Sequence, residues 1–184
     1  FLTGVSSVGK TTIGLKLAGL LGCPFFDLDR EIEEFFGVSI ERLQSRFLTM
    51  HSFREEAAKA LARLLTAPEG QNCVVALPPS GLMGGYWRVV KKQVGTIVVL
   101  TDTPENILQR ITFYDIDSHL VQKWLTLQEK VLHLREIRKD ITYFRKSYEK
   151  AHLHVDISGC DADRAAVKLY TALRASCEER RCEV

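Results

Sequence analysis

The first dozen residues constrain the fold of this chain more than any other stretch. Gly4, Gly9, Lys10 and Thr11 fall at the spacing G-x-x-x-x-G-K-[ST], which is typical of a phosphate-binding loop. An apolar strand end precedes the loop, and an amphipathic run over 11–21 follows it. This order of strand, loop and helix is the context in which the motif binds phosphate, so we expect a nucleotide site at this end of the chain.

The residue types in this loop follow from what a phosphate requires. Gly4 lets the chain leave a strand in a tight turn, and Gly9 lets the backbone approach a phosphate without a Cβ atom in the way. Lys10 is expected to reach the β and γ oxygens of ATP, and the Thr11 hydroxyl is expected to be a Mg²⁺ ligand. The loop residues expected to bind the nucleotide are Gly4, Ser6, Ser7, Val8, Gly9, Lys10, Thr11 and Thr12.

Length and charge narrow the class of protein. The 184 residues suffice for one domain with a proper core but not comfortably for two, so we expect a single domain over 1–184. The apolar share of 46% and the charged share of 26% are those of an ordinary soluble protein. A net charge of +2 favours neither nucleic acid nor membrane as a partner. We therefore expect a monomer that binds a small molecule.

The cysteines indicate the compartment. Five of them are scattered along the chain with no C-x-x-C pairing, which predicts reduced thiols rather than a zinc site or a disulfide framework. The sequence has no stretch approaching the roughly 20 apolar residues of a membrane span, and no signal-peptide pattern. A cytoplasmic location is the resulting expectation.

Apolar runs alternate with helical patterns after the loop. Strands are predicted at 23–29, 73–77, 95–101 and 152–157. This alternation predicts the α/β class, with a central parallel sheet of about five strands in a three-layer α/β/α arrangement. Ligands bind such sheets at the carboxyl ends of the strands. The residues expected at that edge are Gly4, Asp27, Asp29, Asp102 and the segment 78–81, of which Asp102 reads as a helix cap.

Up to about residue 65 the sequence resembles the shikimate kinases, which are small members of the P-loop nucleoside-monophosphate-kinase group. Many proteins share the loop, but its spacing to F-x-D-x-D-x-x-I-E at 25–33, to G-x-S-I at 37–40 and to Phe53-Arg54 is more specific. The resemblance implies transfer of the ATP γ-phosphoryl group to the 3-hydroxyl of shikimate, a step of aromatic amino-acid biosynthesis. It also implies a P-loop kinase fold, Mg²⁺, and a mobile lid at about 111–135.

The resemblance assigns roles to individual residues. Asp27 corresponds to an aspartate that helps to hold Mg²⁺ through water. Asp29 corresponds to the aspartate that hydrogen-bonds the substrate hydroxyls and accepts a proton, which makes Asp29 and Lys10 the expected catalytic residues. Arg54 matches an arginine that forks onto the shikimate carboxylate. Arg110 falls where the family places an arginine against the adenine.

The chain departs from the family after its third apolar strand. Where the family has three glycines, this chain has Pro78-Pro79-Ser80 followed by Gly81. Because proline has no N–H group, either Ser80 and Gly81 bind the substrate one residue later, or that contact is lost. Ala57 also replaces a family glutamate.

The arginines of the lid and of the last family motif are a second departure. The chain has no arginine between Arg110 and Arg135, although the family lid carries one that reaches the transferring phosphate. Tyr143 occupies the position of the last family arginine, so we expect Arg145 to bind the substrate carboxylate instead.

An arginine on the transferring phosphoryl group can contribute about 10³–10⁵ in rate. The loss of the lid arginine keeps two alternatives open: a degenerate domain that binds nucleotide or a small ligand in a regulatory role, and a kinase of another small hydroxylated metabolite.

Overall fold

Five short parallel strands form the central sheet in the computed structural model of the chain, which describes residues 1–182. They are β1 (Leu2–Thr3), β2 (Phe25–Asp27), β3 (Val74–Ala76), β4 (Val98–Thr101) and β7 (Leu153–Asp156). The strands lie in the order β2-β3-β1-β4-β7, which confirms the predicted parallel sheet. A separate antiparallel hairpin consists of β5 (Phe113–Tyr114) and β6 (Leu120–Val121).

Helices flank the sheet. They are α1 (Lys10–Leu21), α2 (Leu28–Phe36), α3 (Ile40–Gln44), α4 (Met50–Thr66), α5 (Gly84–Val90), α6 (Pro104–Gln109), α7 (Leu127–Tyr148) and α8 (Ala162–Cys182). Helix α1 packs against α8, α4 packs against α2 and α5, and α6 packs against α7. No helix within residues 1–182 combines the length and the apolar composition needed to cross a membrane.

The strand register brings the carboxyl ends of the strands to one edge. Asp27 of β2 and Leu2 of β1 both lie opposite Ala76 of β3. The phosphate loop therefore leaves the sheet beside the segment that follows β3, and the end of β2 lies on the other side of that strand. Apolar side chains from both faces bury the strands beneath this edge; Leu2, Val75, Val99 and Leu100 are each about fully buried.

The structure corrects the predicted strand over 23–29. Strand β2 ends at Asp27, whose side chain accepts a hydrogen bond from the Asp29 N–H at 3.1 Å and caps α2. Asp29 therefore lies in the first turn of a helix and not at the end of a strand. The prediction was wrong because the carboxylate of Asp27, a strong N-cap, starts the helix two residues earlier than the apolar pattern indicates.

The region predicted as a lid, 111–135, contains two kinds of structure. Residues 113–121 form the β5–β6 hairpin, and α7 begins at Leu127. A full capping box explains this start, because the Thr126 hydroxyl and the Glu129 carboxylate each accept a hydrogen bond from the other residue's backbone N–H.

Close packing of α5 on α4 requires Gly85. A Cβ atom there would lie 2.7 Å from the Arg54 carbonyl oxygen and 3.0 Å from the Cβ atom of Ala58. We expect Gly85→Ala to lower the free energy of unfolding by about 1–3 kcal/mol, because the backbone of α4 cannot move aside cheaply. The matched control is Gly19→Ala in α1, where no heavy atom lies within 4 Å. The control is expected to raise the free energy of unfolding by about 0.5–1 kcal/mol. Urea denaturation measures both, and equal effects would contradict the packing argument.

Candidate active site

The phosphate loop has the backbone shape of an anion cradle. Gly4 (φ 148°), Ser7 (φ 58°) and Gly9 (φ 110°) have positive φ angles, and a Cβ atom at Gly4 would lie 2.6 Å from the Leu100 carbonyl oxygen. Helix α1 begins immediately after Gly9. Within residues 1–182, the backbone N–H groups of residues 9–12 have no hydrogen-bond partner. These free donors at a helix N-terminus are suited to a phosphate.

Lys10 is held over this cradle. Its ammonium group donates hydrogen bonds to the carbonyl oxygens of Gly4 (3.0 Å) and Val5 (2.9 Å), which leaves its third N–H for a phosphate oxygen. Burial lowers the pKa of Lys10 to about 8, although the carboxylates of Asp29 and Asp27 oppose this effect. Lys10 is therefore mostly charged at neutral pH and lies close to both acids.

The predicted metal ligands are in direct contact. The Thr11 hydroxyl donates a hydrogen bond of 2.5 Å to Asp27 Oδ2, which joins the first turn of α1 to the end of β2. Hydroxyl and carboxylate oxygens are the ligands that Mg²⁺ prefers, and Mg²⁺ usually keeps several waters and substrate phosphates. The two residues fit a magnesium ion shared with a nucleotide. In the described part of the chain, no cluster of three or more His, Cys, Asp or Glu residues offers a competing metal site.

Asp29 lies in the first turn of α2, where other carboxylates surround it. Desolvation, followed by the charge of Asp27, raises the pKa of Asp29 to about 6; Lys10 opposes this shift, and Glu33 and Glu41 add to it. A carboxylate with a raised pKa accepts a proton more readily than an ordinary one. Asp29 therefore suits the positioning and partial deprotonation of a hydroxyl group.

Arg54 provides an unneutralised cation on α4. Its Nε atom is buried without a hydrogen-bond partner, and no carboxylate of residues 1–182 forms an ion pair with it. The neighbouring Glu55 pairs with Arg88 instead, and Ala57 is fully buried. A half-buried guanidinium without a partner is well suited to bind a carboxylate.

The segment after β3 uses one of the two predicted donors internally. The Gly81 N–H donates to the Pro78 carbonyl oxygen at 2.8 Å, and the Met83 N–H donates to the Ser80 carbonyl oxygen at 2.9 Å. The Gly81 N–H is therefore engaged in a turn, whereas the Ser80 side chain has no hydrogen bond within the described chain. Of the predicted substrate contacts here, the Ser80 hydroxyl is the available one.

Arg110 is anchored by Asp102 rather than free. Its guanidinium donates to the Asp102 carboxylate, which also accepts hydrogen bonds from the Asn106 side chain and the Thr103 N–H, both at 2.7 Å. Burial alone would raise the pKa of Asp102, but the hydrogen bonds from Asn106, Arg110 and Thr103 lower it overall. The N-cap of α6 is Thr103, whose hydroxyl accepts a hydrogen bond from the Asn106 N–H at 3.2 Å, so the prediction of Asp102 as the cap was wrong. Asp102 instead fixes Arg110 at the end of that helix.

The other cations considered for the site form no contact with the phosphate loop within residues 1–182. Arg145 is exposed in the last turn of α7 and has no polar partner among residues 1–182. Lys123 pairs with Glu129 at 2.9 Å and lies over the Phe113 ring, and His119 contacts Asp115. Lys123 and His119 are thus engaged within the lid itself, and His133 contacts Glu136.

The tip of the β5–β6 hairpin docks on α2 and α3, which the sequence did not indicate. Arg42 donates two hydrogen bonds to Asp117, at 2.5 and 3.1 Å, and the Ser39 hydroxyl donates to the Ile116 carbonyl oxygen at 2.5 Å. The Ser118 hydroxyl donates to the carboxylates of Glu33 and Glu41. The hairpin therefore bridges the lid region to the helix that carries Asp29. The turn-forming sequence at 115–118 signals the hairpin but not its docking partner.

Comparison with known sequences identifies a family that matches this chain. The shikimate kinase family model matches residues 6–173. The shikimate kinase of Thermus thermophilus is 32% identical over 184 residues and covers 97% of this chain and 91% of the relative. The shikimate kinase of Geobacter sulfurreducens is 31% identical over 173 residues and covers 94% of this chain and 89% of the relative.

Solved structures show the same three-layer fold. The shikimate kinase from Bacteroides thetaiotaomicron has a TM-score of 0.75 and 23% identity, covering 95% of this chain and 97% of that one. The shikimate kinase from Acinetobacter baumannii in complex with shikimate has a TM-score of 0.65 and 24% identity, covering 95% and 92%. A gluconokinase from Sinorhizobium meliloti has a TM-score of 0.63 and 14% identity, covering 99% and 94%. These likenesses confirm the predicted α/β/α P-loop kinase fold.

The Asp102–Arg110 pair yields a prediction for stability. We expect Asp102→Asn to lower the free energy of unfolding by about 1–3 kcal/mol at neutral pH, because a buried charged acceptor is lost. The pKa of Asp102 is lowered in the folded chain. Its stabilisation is therefore complete above the ordinary aspartate pKa of about 4 and is lost as the pH falls through the lowered value.

Denaturation at pH 7 and at successively lower pH tests this. The matched control is Asp163→Asn, which removes an exposed ion pair with Lys16 and is expected to cost less than about 1 kcal/mol. A difference between Asp102→Asn and the wild type that is small at pH 7, or that grows in acid, would refute the assignment.

Proposed function

The chain belongs to the shikimate kinase family, and we propose that it transfers the γ-phosphoryl group of Mg-ATP to the 3-hydroxyl of shikimate. The observation that carries the proposal is the meeting of the phosphate loop with Asp27 and Asp29. The Thr11 hydroxyl contacts Asp27, and the charges of Asp27 and Asp29 both act on Lys10. A site for a triphosphate and a carboxylate for a hydroxyl acceptor thus share one edge of the sheet.

Different residues of the chain would bind the phosphates, the metal ion and the acceptor hydroxyl. The free N–H groups at the start of α1 and the third N–H of Lys10 hold the phosphates of ATP. Thr11 and Asp27 would hold Mg²⁺, which, when bound, neutralises phosphate charge. Asp29 orients the acceptor hydroxyl toward the γ-phosphoryl group and takes up its proton. Phosphoryl transfer needs chiefly this positioning and charge neutralisation, not a strong base.

Arg54 sets the orientation of the acceptor. A planar guanidinium binds a carboxylate through two parallel hydrogen bonds, and Arg54 has no competing carboxylate. Arg145 would approach the same carboxylate from α7, and Ser80 would contact an acceptor hydroxyl. Arg110, fixed by Asp102, would lie against the adenine.

The chain has no arginine between Arg110 and Arg135, so the reaction would proceed without the arginine that the family lid carries. Lys123 and His119 are engaged inside the lid, so we expect Lys10 to be the main cation on the transferring group, with Arg135 as the cation that could substitute for the lid arginine. Since a transition-state arginine contributes about 10³–10⁵ in rate, we expect turnover well below that of a kinase with a lid arginine.

Transfer to a different small hydroxylated metabolite is the second candidate. The Pro78-Pro79 pair and the engaged Gly81 N–H remove backbone donors beside the acceptor, so the acceptor pocket differs from the three-glycine pattern. The gluconokinase of the same fold shows that this architecture accommodates other acceptors. In either case we propose a cytoplasmic monomer that works as a single domain on a small molecule.

Release of ADP in the presence of Mg-ATP, with and without shikimate, tests the proposed reaction. We expect shikimate to stimulate ADP release in the wild type. Lys10→Ala and Asp29→Asn should each reduce the stimulated rate at least about 100-fold, because each removes a group that acts on the reacting phosphate or hydroxyl. Tight ATP binding with no turnover on any hydroxy acid would instead indicate a regulatory domain. Turnover with another hydroxylated acid but not with shikimate would support the second candidate.

Arg54→Lys separates acceptor binding from nucleotide binding. Lysine cannot form the two parallel hydrogen bonds, so the Kd for shikimate should rise about 10- to 100-fold while the Kd for ATP stays unchanged. Arg63→Lys, an exposed change on the same helix, is the matched control and should alter neither. Calorimetric titration measures all four constants, and equal weakening of both ligands would rule out the role of Arg54.

A further inference from the structure

We infer that the phenol of Tyr86 donates a hydrogen bond to the acceptor molecule, at a point between Asp29 and Arg54, and so helps to select that acceptor. This inference rests on the proposed phosphoryl transfer to a small hydroxylated acid. It adds a binding residue to the acceptor half of the site, on a helix from which the sequence predicts no site residue.

The first observation is a buried hydroxyl that nothing in the described chain satisfies. Tyr86 is 1% exposed, and its hydroxyl oxygen has no hydrogen-bond partner within residues 1–182. Buried tyrosine hydroxyls are usually hydrogen-bonded. A buried hydroxyl that lacks a partner in the free protein can be satisfied when a ligand brings one.

The second observation is the position of Tyr86 beside Arg54. Helix α5 approaches α4 so closely that a Cβ atom at Gly84 would lie 3.5 Å from Arg54 Nε, and one at Gly85 would lie 2.7 Å from the Arg54 carbonyl oxygen. The Nε atom of Arg54 is also buried and without a partner. The Tyr86 hydroxyl and the Arg54 Nε atom are thus two buried donors without partners, and both belong to helices that pack against each other, α5 and α4.

The phenol interacts electrostatically with both groups that would hold the acceptor. Burial raises the pKa of Tyr86 above its usual range, the charge of Asp29 raises it further, and the charge of Arg54 opposes this. The phenol is therefore protonated at neutral pH and lies within electrostatic reach of both groups that would hold the acceptor. Asp29 only accepts hydrogen bonds when it is ionised, and Arg54 is a cation. Tyr86 adds a neutral hydrogen-bond donor to these two groups.

The backbone after β3 explains why such a donor is needed. Pro78 and Pro79 have no N–H groups, and the Gly81 N–H already donates to Pro78. A hydroxyl held by Asp29 still has lone pairs to satisfy, and Asp29 cannot donate to them when ionised. Tyr86 supplies this hydrogen bond from a different element of the fold.

Tyr86→Phe removes the hydroxyl and keeps the ring. We expect the Kd and KM for shikimate to rise about 10- to 100-fold, with the Kd for ATP unchanged and with kcat altered much less than KM. The thermal midpoint of the free protein should not fall, because the hydroxyl has no partner to lose. The matched control is Tyr148→Phe on α7, whose buried hydroxyl lies against Thr3. It should leave both Kd values unchanged.

The possible outcomes are distinct. Unchanged shikimate affinity in Tyr86→Phe, with weakened affinity in Arg54→Lys, overturns the inference and leaves the proposed function standing. A fall in the thermal midpoint together with equal losses for ATP and shikimate also overturns it, because Tyr86 would then be structural. A wild-type chain that binds neither shikimate nor other small hydroxy acids contradicts the proposed function and the inference together.

Discussion

The hydrogen bond between Thr11 and Asp27 is the contact on which the rest of the site depends. It joins the first turn of α1 to the end of β2, two elements that contact each other. The phosphate loop ends at this point, and α2, which carries Asp29, begins there. One short contact therefore fixes the distance between the phosphate loop and Asp29, the residue proposed to bind the acceptor hydroxyl.

Negative charge is concentrated around the Thr11–Asp27 contact, where it would help to bind a divalent cation. Asp27, Asp29 and Glu33 lie within electrostatic reach of one another, and Lys10 is the cation that acts on Asp29. Such a cluster is unfavourable in the empty protein but favourable once a divalent cation is bound. The lid hairpin adds to this architecture, since its Ser118 hydroxyl donates to Glu33 and ties the lid to α2.

The sequence was sufficient to predict the parallel sheet and the order of strand, loop and helix at the start of the chain. Gly4, Gly9 and Lys10 act within a dozen residues, so their spacing carries the geometry directly, and the apolar strands predict the parallel sheet. The helical position of Asp29 was missed because the capping effect of Asp27 competes with the strand pattern. Long-range contacts leave no local pattern, which is why neither the docking of Asp117 on Arg42 nor the burial of Tyr86 beside Arg54 was predicted.

The proposed reaction transfers the γ-phosphoryl group of ATP to a hydroxyl of shikimate. Phosphorus-31 NMR of the chain incubated with Mg-ATP and shikimate tests it most directly, because the resonance of a phosphate monoester is distinct from that of inorganic phosphate. The account predicts a new monoester resonance that grows in step with ADP. Formation of ADP and inorganic phosphate alone, or no consumption of ATP, would contradict it.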